Sequence, residues 1–168
     1  DYIIPARGLI GFQTEFRTMT SGLGLLFHVF DHYAPVSERE IASRQNGVMI
    51  SNGQGTVLGY SLFNLQERGK LMCAHGDEVY EGQVIGIHSR ENDLVVNPLK
   101  GKKLTNMRAA GKDENIVLTT PIRYTLEQAM EFIEDDELVE ITPSSIRIRK
   151  RALKELDRKR SGRVSESE

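Results

Sequence analysis

Apolar and polar positions change rhythm along the chain. Leu9, Phe12, Phe16 and Met19 recur at three- and four-residue spacing, which places them on one face of a helix. Gly22 and Gly24 then end that helix and turn the chain. Tyr2-Ile3-Ile4, stopped by Pro5, and the bulky run Leu25 to Phe30 read as flanking strands. A strand-helix-strand unit of this size cannot bury both its sheet face and its helix face. It therefore predicts half of a domain. Leu9, Phe12, Phe16 and Val29 need cover from a second copy, from an upstream segment or from the rest of the chain, and self-association is one expected outcome.

After a polar linker around Pro35 and Ser37-Glu38-Arg39-Glu40, short strands and turns take over. Residues 47–51 form a strand followed by Asn52-Gly53, the pair best suited to a tight hairpin turn, which makes residues 56–60 the predicted returning strand. Leu62, Leu65 and Gln66 lie in a short helical stretch that Gly69 can cap. Further strands are predicted at 79–80, 83–87 and 94–96, and the pattern resumes at 116–118. Thr125-Leu126-Glu127-Gln128 is a capping-box signature, with Leu126, Ala129, Met130 and Ile133 as the apolar stripe behind it. Leu138 to Ile141 ends at Pro143. In Ile146-Arg147-Ile148-Arg149 the arginines share one strand face and the isoleucines the other. Beyond Lys150 a frayed helix or a disordered tail is expected.

Residues 99–115 break this order. They form a long stretch with little periodicity, and loops of that length inside a domain are usually functional or disordered. The stretch carries Lys100, Lys102, Lys103, Arg108 and Lys112 against Asp113 and Glu114. Thr105 and Asn106 can hydrogen-bond sugars and bases, while Gly101 and Gly111 let backbone approach a phosphate. Folded nucleic acid fits this composition better than a plain exposed loop does. With no aromatic residue present, single-strand reading by stacking is not expected.

Charge adds a second feature. The net charge of −2 hides a strong asymmetry: residues 127–140 carry seven acids and no bases, whereas 147–163 carry nine bases against Glu155 and Asp157. One reading is a polyanion-facing surface that includes Arg147, Arg149, Lys150 and Arg151; the other is a solvated tail. With 39% hydrophobic and 27% charged residues the chain is ordinary for a globular protein, and no apolar run is long enough to span a membrane. The single cysteine, Cys73, sits in an apolar context and reads as core filler in a reducing compartment. The opening Asp1-Tyr2-Ile3 lacks an initiator Met and resembles no signal peptide, as expected of a piece of a longer protein.

Catalytic patterns are missing. The Gly-Lys pairs at 69, 101 and 111 are preceded five positions earlier by Asn64, Val96 and Asn106, and no Ser or Thr follows, so no phosphate-cradling loop is formed. Gly53-Gln54-Gly55 is followed by Leu58 where a dinucleotide fingerprint needs a third glycine. His28 and His32 stand about 13 Å apart if the run is extended, too far for one ion. Glu134-Asp135-Asp136-Glu137 reads as a solvated helix end. No catalytic or metal residue is assigned.

Several motifs taken together carry a resemblance: Arg7-Gly8-Leu9-Ile10-Gly11-Phe12, Asn64-Leu65-Gln66-Glu67-Arg68-Gly69, Val79-Tyr80-Glu81-Gly82, Lys102 to Ala109, and Phe132 to Glu140. In this order they resemble the BipA/TypA family of ribosome-binding translational GTPases across residues 2–160. The resemblance implies an α+β architecture. Residues 1–34 would be the second half of a ferredoxin-like unit of the EF-G domain V type. Residues 35–150 would be a mostly β C-terminal domain with short helices and a long basic loop, and 151–168 a flexible basic tail. The implied partners are the ribosome, large-subunit rRNA and the A-site tRNA, whose acceptor end the loop would approach through Lys102, Lys103, Thr105, Asn106, Arg108 and Lys112. Lys100 joins them from composition. The family ties imply a cytoplasmic role in ribosome assembly and stress-responsive translation. GTP and Mg would belong to the parent's GTPase domain, leaving no cofactor and no enzymatic activity here. The alternative reading is a protein–protein regulatory module that uses the acidic helix at 127–137.

Overall fold

A computed structural model describes residues 1–9, 12–36, 44–101 and 117–165. Its centre is strand β1 (Val48–Ser51), buried at every position. Val48 and Ile50 point into one apolar cluster and Met49 into another, the period-two alternation of a strand covered on both faces. β5 (Val84–His88) lies antiparallel on one edge of β1, and β6 (Leu94–Val96) lies parallel on the other. β3 (Gly69–Leu71) extends the sheet beyond β5, giving the order β3-β5-β1-β6.

Each face of this sheet has its own cover. Over the Met49 face lie helix α2 (Gly59–Leu65) and a two-stranded pair of β2 (Gly55–Thr56) with β4 (Glu78–Val79). Leu62, Leu65, Val57, Val79, Leu71 and Ile85 close that cluster. Cys73 is buried in it as expected, and the surrounding apolar groups, then Asp77, push its thiol up to about 12. Over the other face lie helix α3 (Leu126–Phe132) and the antiparallel hairpin β7 (Glu137–Thr142) and β8 (Ser145–Lys150). Ala129 and Ile148 pack there on Val48, Ile50 and Val84. A bridge between Gln83 and Arg149 ties the hairpin to the sheet. Gly82 makes that junction possible, because its φ is +86° and a side chain there would meet the Leu153 backbone.

The capping box forms as the sequence predicts: Thr125 Oγ1 accepts the Gln128 N–H, and Gln128 Oε1 accepts the Thr125 N–H at 3.0 Å. The stripe behind it is rotated. Ala129, Phe132 and Ile133 face the core, while Met130 is 59% exposed.

Three predicted strand features differ. Asn52-Gly53 does not close a hairpin, because β5 and β6 already occupy both edges of β1; the chain crosses to the smaller sheet instead. Gly59 and Tyr60 accordingly begin α2 rather than end a returning strand. Ile116 lies outside the described residues, and Val117 and Leu118 form no ladder among them; Leu118 packs on the core and the Val117 carbonyl is taken by a side chain.

In the first segment, helix α1 (Phe12–Met19) carries Phe12, Phe16 and Met19 of the predicted apolar face, while Leu9 ends a separate 3-10 turn (Ala6–Leu9). α1 stops where Gly22, at φ +83°, donates its N–H to the Arg17 carbonyl. Neither predicted strand beside it is assigned, since no ladder partner exists among the described residues of 1–36. Tyr2, Ile3, Leu25, Phe27 and Val29 are exposed. At the other end, the basic tail forms helix α4 (Glu155–Ser165), whose first N–H is accepted by the Glu81 carboxylate. No helix among the described residues is long and apolar enough to cross a membrane.

Candidate nucleic-acid interface

The expected interface falls in three places. Lys102, Lys103, Thr105, Asn106, Arg108 and Lys112 lie outside the described residues. Lys100 stands at the edge of that stretch with its side chain exposed and its carbonyl accepting the Ser61 hydroxyl at 2.7 Å. On the far side, Gln66 receives the returning chain: its Nε2 donates to the Val117 carbonyl, and its Oε1 accepts the Thr119 N–H, both at 3.0 Å.

The second set sits on β8. Arg147 and Arg149 share the outward face, as the alternation predicts, and both lean on Glu140 of β7, at 3.4 and 3.7 Å. Tyr80 donates its hydroxyl to the same carboxylate at 2.6 Å, and burial followed by this bond raises the phenol's pKa. Both arginines are partly exposed, so they reach solvent with part of their charge offset. Arg151 is exposed.

Lys150 is different, and here the sequence expectation needs correction. Its side chain is 2% exposed, and its ammonium contacts Asp93 at 2.6 Å, Asp136 at 2.9 Å and Glu137 at 3.0 Å. Burial alone would lower its pKa, but hydrogen bonds to Asp93 and Asp136, and then Glu137, raise it on balance. A phosphate cannot reach this group without breaking into the fold. The parity of β8 already contained the signal: Lys150 is in phase with Ile146 and Ile148, not with the arginines.

The partner of Lys150 completes a buried ionic cluster. Glu137, with a fully buried side chain, is held by Arg44 through two 2.9 Å bonds in a fork. Arg44 also donates to the Phe132 carbonyl at 3.0 Å, lies 4.4 Å above the Phe132 ring, and is itself 11% exposed. Burial would raise the Glu137 carboxyl, yet Arg44, followed by Lys150, holds it below the usual carboxylate range. The acidic run at 134–137 is thus not a wholly solvated helix end. Glu134, Asp136 and Glu137 lie close enough together to hold a cation, but Arg44 and Lys150 already fill that role.

Comparison with known proteins places these residues in a family. Residues 46–155 match the TypA/BipA C-terminal domain model, and residues 1–44 match the model of the elongation factor G C-terminus. The chain belongs to the TypA/BipA C-terminal domain family. The second match agrees with the ferredoxin-like unit expected of the first segment. TypA/BipA relatives named large ribosomal subunit assembly factor BipA share 67% identity over 164 residues in Escherichia coli K12, covering 98% of this chain. The counterpart in Salmonella typhimurium shares 64% over 168 residues, covering the whole chain, and that in Buchnera aphidicola 60% over 167, covering 99%. The chain spans only 27–28% of the length of these TypA/BipA relatives.

Proposed function

We propose that this chain is the ribosome-binding C-terminal region of a translational GTPase that acts in large-subunit assembly and stress-responsive translation in the cytoplasm. The observation that carries the reading is the 67% identity, across nearly the whole chain, to proteins named large ribosomal subunit assembly factor. Its contact with rRNA and with the acceptor end of the A-site tRNA runs through Lys100, Lys102, Lys103, Thr105, Asn106, Arg108 and Lys112. Arg147, Arg149 and Arg151 form a secondary electrostatic contact, with Lys150 left out because it is buried. The chain itself performs no catalysis; GTP and Mg are held by the parent's GTPase domain.

A polyanion partner suits the chemistry of these groups. Cations displace the counterions of RNA, and polar side chains among them can hydrogen-bond an irregular folded surface. Docking of a protein on α3 is supported less, because Glu134 and Glu137 at its end are engaged by Arg44.

Filter binding of the full-length protein to ribosomes across a salt series tests the reading. Changing Lys102, Lys103 and Arg108 together to Ala is expected to weaken binding and to flatten the dependence of log K on log salt by about two to three. Unchanged affinity and slope in that variant would remove the loop from the interface.

A further inference from the structure

One short element holds both ends of the basic stretch. Ser61 is buried on α2 and donates to the Lys100 carbonyl at 2.7 Å. Gln66 begins the 3-10 turn that continues α2, and its amide engages the Val117 carbonyl and the Thr119 N–H at 3.0 Å each. Apolar packing reinforces both anchors, since Leu99 and Leu118 rest on the cluster that contains Leu62 and Leu65. Just before the departing end, the Leu58 N–H donates to the Pro98 carbonyl at 3.0 Å.

From this arrangement we infer that Ser61 and Gln66 are positioning residues for the nucleic-acid contact. They fix, relative to the sheet, where the chain leaves the core at Lys100 and where it returns at Val117. The inference rests on the loop reading given above. Neither side chain carries charge, so neither adds to phosphate attraction. Their contribution is preorganisation: fixing the points of departure and return sets where the cations carried between them are presented relative to the sheet. Gln66 is suited to this task because a primary amide donates and accepts at once, satisfying a carbonyl and an N–H two residues apart. Satisfying those groups also spares the returning chain unpaired backbone polar atoms.

The test uses the full-length protein and ribosomes. Gln66→Met keeps the side-chain length and removes both bonds; Ser61→Ala removes the other anchor. Each is expected to weaken ribosome binding about three- to tenfold, the scale of one or two lost hydrogen bonds. The salt dependence should stay parallel to that of the parent, because no cation has been removed. Amide exchange at Thr119 should accelerate in Gln66→Met while β5 keeps its protection, which separates a freed anchor from a damaged fold. Should β5 also loosen, Ser61→Ala decides the matter, read by its ribosome affinity and salt slope with β5 protection intact.

Parent-like affinity in both variants, with Thr119 exchange accelerated, would overturn the positioning role and leave the loop reading intact. A flattened salt slope would overturn it too, by showing that charge contacts had been lost. A Lys102, Lys103 and Arg108 triple variant that binds like the parent would remove the loop reading and this inference together.

Discussion

Val48–Ser51 and Leu25 to Phe30 are both short, bulky and mostly apolar, yet they stand in opposite surroundings. β1 has a strand on each edge and a cluster of side chains on each face, and all four of its residues are buried. Leu25, Phe27, Val29 and Phe30 have no ladder among the described residues, and Phe27 is 85% exposed. Apolar surface of this extent normally marks an interface. A hydrophobic run, in other words, states a need for burial without naming the element that meets it. The described residues of 44–150 meet the need internally, and even bury ions to do so. The described residues of 1–36 leave it unmet.

The largest expected effect probes the buried ions that hold the second region together. Lys150→Met removes the cation shared by Asp93, Asp136 and Glu137. Because Glu137 keeps Arg44 and both aspartates reach solvent, the loss should fall at the lower end of the range of about 3–5 kcal/mol that breaking a fully buried pair costs. Denaturant unfolding should show that loss in residues 44–150, with exchange in residues 1–36 unaltered. A loss under about 1 kcal/mol would mean that water or Arg44 replaces Lys150 easily.

A smaller effect follows from acid. The Glu137 carboxyl has a folded pKa below its unfolded value of about 4.3. The stability it contributes is therefore complete above that pH and is lost as pH falls through the lower folded value. Denaturation midpoints taken from about pH 6 down to about pH 3 should decline mainly below 4.3, and less steeply in Glu137→Gln. Identical acid profiles for the parent and Glu137→Gln would place the sensitive group elsewhere.

The smallest effect concerns the first region. Phe27→Ser should change stability by no more than about 0.5 kcal/mol, as at other exposed sites, while lowering the binding of an apolar dye. A loss beyond about 1 kcal/mol would break the comparison, because it would show Phe27 covered in solution.

Periodicity along the chain makes α1, the capping box of α3, the alternation of β8 and most strand positions legible in the sequence. These features depend on residues within a few positions of one another. Pairing is not legible there. Asn52-Gly53 has turn chemistry, but whether a turn closes a hairpin depends on whether the edge of β1 is free, and strands 34 to 45 positions from their partners in β1 decide that. The candidate site divides the same way. Its basic composition can be read directly, whereas the anchoring of its two ends by Ser61 and Gln66 joins residues 39 to 53 positions apart.

The local elements, the family and the concentration of cations between Lys100 and Lys112 thus follow from the amino-acid order alone. Which charges remain available to a partner follows only from how the chain packs. Arg147, Arg149 and Lys150 are near neighbours of one chemical kind, but the pleat turns two outward and one inward, against carboxylates contributed by β7 and two loops. A charge is free or spent according to what packs against it, and that is settled by contacts between segments distant along the chain.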